Sequence, residues 1–315
     1  MTKILDGNKL AKEIRAAVKQ DVQDLKKRGI ETGLAIMLVG DDPASKQYFS
    51  ATVRTSKSVG IGVYEYRLPE STSVNGILNL IHSINNDERI NGLLVLLPLP
   101  REINARRVVN AIVPEKDVDG LGAIAVGRLA ADESVFQVFR EAQYNVQSDR
   151  RFVTTFSSFI PCTPFGVIRL LDYYGVEIKG KNAVVVGKSL TVGKPLALML
   201  LAREATVSVC HRETPDLEHY LKNADIVCSA TGVQGLITGS MLKKGAVVVD
   251  IGIKVLSDKQ IVGDLDFESV ASVASLVTPV PGGVGPVTIA MLLENTVRSA
   301  QRHELINSPL TVISS

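Results

Sequence analysis

The sequence predicts an α/β protein of two domains, each built on a parallel sheet. Helical apolar periodicities alternate with short, continuous apolar runs along nearly the whole chain, the pattern of strands buried on both faces and joined by helices. Glycine and proline punctuate those runs, and 315 residues exceed what one ordinary core organises.

The elements follow in order. Leu10, Ile14, Val18, Val22 and Leu25 recur at helical spacing, with Gly29 placed to end the helix. GLAIMLVG (33–40) reads as a buried strand, and Asp41-Asp42-Pro43 reads as an acidic cap with proline in the first turn of the next helix. A strand near 62–67, a helix over 73–85 and the strand LLVLL (93–97), stopped by Pro98, complete an αβα unit of about 120 residues. A second unit starts near 180 with the strand KNAVVVG, the helix GKPLALMLLAR and the strands ATVSVCH, DIVCSATG and GAVVVDIGI. TPVPGGVGP (278–286) then breaks regular structure before a last helix near 287–303. A binding loop and a linker crossing between domains both fit that stretch.

Composition excludes several classes. The chain is 45% hydrophobic and 22% charged, with a net charge of +2 and no basic stripe or stacked aromatics suited to nucleic acid. No apolar run approaches a membrane span and the N-terminus lacks a signal-type apolar region, so the expected setting is cytoplasmic. Cys162, Cys210 and Cys228 are odd in number and lack CxxC spacing, which reads as buried thiols in a reducing compartment. His82, His211, His219 and His303 form no metal-ligand spacing, so no metal is expected.

VVVGKSLTVGKP (184–195) is the candidate phosphate site: a strand, a tight turn at Gly187, then a helix opening at Gly193 with Pro195 in its first turn. Unpaired N–H groups and the positive dipole end favour a pyrophosphate there. The fingerprint is partial, because Ser189 replaces the middle glycine and the last glycine is displaced; an ordinary strand-turn-helix fits too. Where an NAD enzyme places an acid for the ribose, this chain has His211-Arg212, with Glu213 one place late. Arg212 and Lys188 can bracket a 2′-phosphate with Ser189 as a donor, so NADP is preferred and NAD remains possible; the alternative for Arg212 is a solvated loop cation.

ASKQY (44–48), LLPLP (96–100), PEKDVDGL (114–121), PCTPFG (161–166), the glycine turn, HRET, GAVVVDIGI, VGDLDF and TPVPGGVGPVT run in order along nearly the whole chain. Together they resemble the methylenetetrahydrofolate dehydrogenase/cyclohydrolase family. The resemblance implies a folate-binding catalytic domain over 1–125, completed by a C-terminal helix at 287–315, and a Rossmann-type NAD(P)-binding domain over 161–286 across a cleft. It also implies a homodimer. Asp119 matches the acid that hydrogen-bonds the pterin, Tyr48 the tyrosine beside the substrate, and Pro281-Gly282-Gly283 the loop that closes over it. Thr288 falls at the family's substrate-proximal helix start, while Gly187, Lys188, Ser189, Gly193, His211, Arg212 and Ile253 fall with the cofactor. Without the resemblance, a turn-capping aspartate before Gly120 is the preferred reading of Asp119, and Tyr48 also reads as a half-buried core residue.

Two departures bear on activity. Bifunctional members read Y-x-x-x-K on the tyrosine helix, with both side chains on one face, and place glutamine at the start of LLPLP. Here those positions are Thr52 and Leu96. Arg54 and Lys57 point roughly 160° and 140° away from Thr52 on a helix, too far to substitute. The expectation is NADP-dependent oxidation of 5,10-methylenetetrahydrofolate to the methenyl compound with cyclohydrolase activity weak or absent. The alternatives are a bifunctional enzyme and a non-catalytic folate- and nucleotide-binding paralogue. A further departure is a long segment at 126–160, in which Val135, Val138, Phe139 and Ala142 have a partial helical period.

Overall fold

A computed structural model describes residues 3–131, 158–256 and 260–307. The helical reading within 135–142 lies outside the described residues. The N-terminal unit is a parallel three-stranded sheet ordered β3-β2-β4, with β2 (Gly33–Val39) between β3 (Gly62–Leu68) and β4 (Gly92–Val95). Every residue of β2 is buried, because helices cover both faces. Leu34, Ile36 and Leu38 join the core shared with α1 (Gly7–Lys27) and α2 (Pro43–Val59), whereas Ala35, Met37 and Val39 pack with Ile77, Ile81 and Ile84 of α3 (Val74–Asn85). Two short helices, α4 (Ala105–Val109) and α5 (Ala123–Ala131), follow.

The second sheet is six-stranded and parallel, ordered β1-β11-β8-β7-β5-β6. Its members are β1 (Lys3–Ile4), β5 (Asn182–Val186), β6 (Thr206–Cys210), β7 (Ile226–Ser229), β8 (Val247–Asp250) and β11 (Leu276–Val277). The strand after β5 lies on one side of it and the next lies on the other. That reversal opens a crevice at the C-terminal end of β5, the usual ligand position in an open α/β sheet. The helices of this unit are α6 (Cys162–Tyr173), α7 (Gly193–Ala202), α8 (Leu217–Lys222) and α9 (Phe267–Val273), and β9 (Lys254–Val255) pairs antiparallel with β10 (Ile261–Val262).

β1 departs from the sequence reading, which placed residues 1–125 together. Lys3 and Ile4 lie on the edge of the second sheet, and Lys3 N and Leu5 N donate to Ser275 O and Val277 O. Two residues carry no period, so the pairing partner alone decides this strand.

The last helix, α10 (Val284–Asn307), begins earlier than expected and packs against both α1 and α6. Glu294 on α10 takes Arg169 from α6 and Arg298 from its own next turn, each at 2.5 Å. The loop before α10 grips the start of α1: Gly7 N and Asn8 N donate to Gly282 O at 2.9 and 3.2 Å, satisfying two amides that the helix leaves unpaired. A methyl group on Gly7 would collide with the Gly283 carbonyl. Gly7→Ala should therefore lower stability by about 1–3 kcal/mol in urea unfolding. Gly29→Ala, with nothing within 4 Å, tests local backbone strain alone, and equal losses would remove the special role of the loop contact.

Candidate active site

A cavity of ≈ 240 Å³ opens between the two sheets. One wall comes from Tyr48 on α2, Leu96 just beyond β4, and Asp119. The other comes from Thr163 on α6, Thr191 and Val192 before α7, Ile251 and Ile253 after β8, and Thr288 on α10. Parallel strands end on the same side, so each sheet delivers its C-terminal loops to this cleft.

Asp42 caps α2 by accepting from Ser45 N at 2.8 Å, and Pro43 opens the helix, which fixes where Tyr48 enters the cavity. Burial pushes the Tyr48 phenol well above its ordinary range and the nearby Asp119 carboxyl adds to it, so the group stays a neutral donor. Thr52 is fully buried, and its hydroxyl donates to the Tyr48 main-chain oxygen at 2.8 Å. It stands behind Tyr48 and does not line the cavity. Leu96 does line it, at 4% exposure, with its N–H held by Met37 O at 2.9 Å. Arg54 and Lys57 are exposed, and Lys57 pairs with Glu65 at 3.0 Å. No described residue lining this cavity is cationic.

The two aspartates of KDVDG have separate work. Asp117 is 3% exposed and accepts from Leu121 N and Gly122 N, bracing the turn. It is the turn-capping acid. Asp119 faces the cavity, and burial, reinforced by Asp117, raises its carboxyl to about 7. Cys162 sits beside it; burial and the Asp119 charge push that thiol well above its usual value, so it remains protonated.

Pro281, Gly282 and Gly283 do not line the cavity; they form the turn that seats on α1. The same segment reaches the cavity one step later, through Val284 and Gly285. Thr288 lines the cavity, with its single hydroxyl hydrogen placed between two acceptors, Thr163 Oγ1 at 3.2 Å and Val284 O at 3.3 Å.

The glycine turn fits a dinucleotide phosphate. Gly187 ends β5 at the crevice with φ +115°, and a side chain there would meet Ala230 O at 2.5 Å. A Cβ on Gly193 would collide with the Gly187 carbonyl, so the close approach of turn and helix requires glycine. Ser189 Oγ accepts from Val192 N at 3.1 Å and Gly193 N at 3.3 Å, capping α7, while Lys188 is exposed beside it. His211 N donates to Thr214 Oγ1 at 2.9 Å. Arg212 is 90% exposed and already bonds Glu213 at 2.8 Å. Ile253 is 50% exposed at the mouth of the cavity. Behind it, Asp250 accepts from Gly252 N, Asp264 N and Leu265 N and fixes the loop; burial raises its carboxyl to about 6.

Comparison with known proteins decides what this cleft belongs to. Residues 5–119 match the tetrahydrofolate dehydrogenase/cyclohydrolase catalytic domain, and residues 161–304 match the NAD(P)-binding domain of the same family. The chain is 48% identical to the bifunctional protein FolD of Moorella thermoacetica, over 95% of this chain and 99% of that one. Its fold matches the crystal structure of the bifunctional enzyme FolD from Campylobacter jejuni with a TM-score of 0.85 and 43% identity, over 96% and 100% of the two chains. It also matches the Trypanosoma brucei dehydrogenase-cyclohydrolase complexed with NADP cofactor and inhibitor, with a TM-score of 0.85 and 32% identity, over 98% and 99%. The chain belongs to the tetrahydrofolate dehydrogenase/cyclohydrolase family.

Within that family frame, the cleft joins a catalytic domain to an NAD(P)-binding domain. Sequence reasoning missed Thr163, Asp117 and the placement of Cys162 beside Asp119. PCTPFG and KDVDG were visible as motifs, but nothing local says that they touch.

Asp119 makes a stability prediction whose sign is fixed. Its folded pKa of about 7 lies above the unfolded value, so its contribution is complete at low pH and is lost as pH rises from about 4 through 7. Asp119→Asn should therefore be more stable than the parent at pH 8 by roughly 1 to 4 kcal/mol, with the gap closing toward pH 4. Parallel stability curves in denaturant titrations across that range would show that Asp119 is not a buried acid.

Proposed function

We propose that this protein oxidises 5,10-methylenetetrahydrofolate to 5,10-methenyltetrahydrofolate with NADP, and hydrolyses the methenyl product weakly or not at all. The observation that carries this reading is the cavity wall itself: Leu96 where bifunctional members have glutamine, and Thr52 buried behind Tyr48 where they have lysine.

The nucleotide, when bound, supplies the hydride acceptor; the chain's task is to align the two reactants in a dry cleft. Asp119, as carboxylate, accepts from pterin N–H groups, and the Tyr48 ring lies beside the folate. Ile251 and Ile253 shape the nicotinamide side, while Lys188, the Ser189 turn and the positive dipole end of α7 receive phosphate. Arg212 meets the 2′-phosphate once it releases Glu213. A nearby complex that contains NADP supports this choice of cofactor. The methenyl product is a cation, and an anionic Asp119 in a cavity with no cation among its described lining residues holds it. Water attack on that cation needs proton handling, for which positioned acid-base groups contribute about 10²- to 10⁴-fold. A fully buried threonine hydroxyl that does not line the cavity, and does not titrate near neutral pH, cannot supply it.

The second reading is a bifunctional enzyme. Relatives at 48% and 43% identity that bear that name favour it, and a carboxyl near neutrality is a candidate base. Supplying methenyltetrahydrofolate directly separates the two. The parent should hydrolyse it close to the spontaneous rate, and Thr52→Lys with Leu96→Gln should raise the rate at least about tenfold. Rapid hydrolysis by the parent would establish the bifunctional reading instead.

A homodimer and a cytoplasmic, reducing setting complete the proposal. The free edge strand β6, with Val209 at 40% exposure, and Leu201 at 60% offer an apolar surface for a second copy, and the three cysteines are buried and unpaired. Light scattering should give twice the chain mass for the parent and a shift toward monomer for Val209→Lys with Leu201→Lys; an unchanged mass would move the interface elsewhere.

A further inference from the structure

Asn295 belongs to no motif singled out in the sequence, yet it is 2% exposed in the middle of α10 and its amide points at the Asp119 loop. Nδ2 donates to Val118 O at 2.9 Å and lies 3.4 Å from Cys162 Sγ as a second acceptor. Cys162, at 1% exposure, donates its main-chain N–H to Asp119 O at 3.2 Å, and its thiol reaches Val118 O at 3.2 Å. Val118 O belongs to the peptide that precedes the Asp119 Cα, and Asp119 O to the peptide that follows it. Both peptide planes flanking the residue are thus held from outside the loop, which leaves the carboxyl only its side-chain torsions. One turn further along α10, Ser299 Oγ donates to Glu115 O at 2.7 Å, holding the same loop without touching either plane.

We propose that Asn295, acting with Cys162, is a positioning residue that locks the backbone on both sides of Asp119 and so sets where that carboxyl meets the substrate.

The bracket also directs a proton. The Cys162 thiol has one hydrogen and two acceptors within reach, Val118 O and the Asp119 carboxylate. Val118 O accepts from both the thiol and Asn295, so it keeps a donor when the thiol turns to Asp119 and stabilises its charge. Without Asn295, the thiol's bond to Val118 O is the one that keeps this buried acceptor satisfied, which holds the thiol away from Asp119. The other ionisable groups facing Asp119 are Asp117 in its own loop, which disfavours its charge, and Tyr48 from α2, which stays neutral. Removing Asn295 should therefore raise the pH at which Asp119 ionises as well as loosen its position.

The inference rests on the reading that Asp119 receives the folate, so the test has one arm that needs no turnover. In Asn295→Ala, the KM for methylenetetrahydrofolate should rise at least about tenfold while the KM for NADP stays within about twofold. The acid limb of the kcat/KM profile should move to higher pH. Cys162→Ala, which keeps the Asn295–Val118 bond, should move the acid limb in the same direction with a smaller change in KM, and it carries the test if Asn295→Ala does not fold. Ser299→Ala should change none of these. The turnover-free arm follows thermal stability against pH, where the Asp119 step near pH 7 should shift upward in Asn295→Ala and in Cys162→Ala. Absence of oxidation by the parent would overturn the functional reading and leave this shift to decide the bracket. An unmoved step and acid limb, or equal losses of affinity for folate and NADP, would overturn the positioning role.

Discussion

The structure depends on the burial of α10 against α1 and α6. This helix closes the core shared by the two sheets, and what it touches on each side is what makes the cleft. Its first turn lines the cavity, the loop before it seats on α1, and its middle carries Asn295 and Glu294 to α6 and to the Asp119 loop. An apolar helix face supplies the free energy, and a few directional bonds decide the register.

That arrangement lets the protein hold a carboxyl where water would otherwise be preferred. Asp117 and Asp119 sit two residues apart in one turn, yet one is spent on backbone amides and the other is kept for the cavity. The division follows from accessible donors: Leu121 N and Gly122 N converge on Asp117, while the bonds around Asp119 go to its backbone. A buried acid without strong donors, beside a second carboxylate, titrates near neutrality and costs stability when ionised.

Much of this was legible in the sequence. Continuous apolar runs bounded by glycine and proline located β2, β4, β5, β7 and β8, because strands buried on both faces need no alternation. Tyr48 and Asp119 were visible as motifs and both line the cavity, whereas the glycine turn reaches it through Thr191 and Val192 and not through Gly187, Ser189 or Gly193. β1 was invisible because two exposed residues take their conformation wholly from β11. The family resemblance implied that Pro281-Gly283 closes over the substrate, but its bonds are to α1, and only its continuation reaches the cavity. Asn295 and Cys162 are 133 positions apart, and no local pattern encodes a bond between them. Thr52 was found as a departure from a motif; its retreat behind Tyr48 needed coordinates.

We propose that this cleft serves hydride transfer and lacks the group for the hydrolysis that follows. The most direct measurement follows purified protein with methylenetetrahydrofolate and NADP in one reaction, quantifying reduced nucleotide and methenyltetrahydrofolate together. The account predicts that the two accumulate in equal amounts, with methenyl decaying afterwards only at its spontaneous rate. Methenyl that trails the reduced nucleotide from the outset, with formyltetrahydrofolate making up the difference, would contradict it.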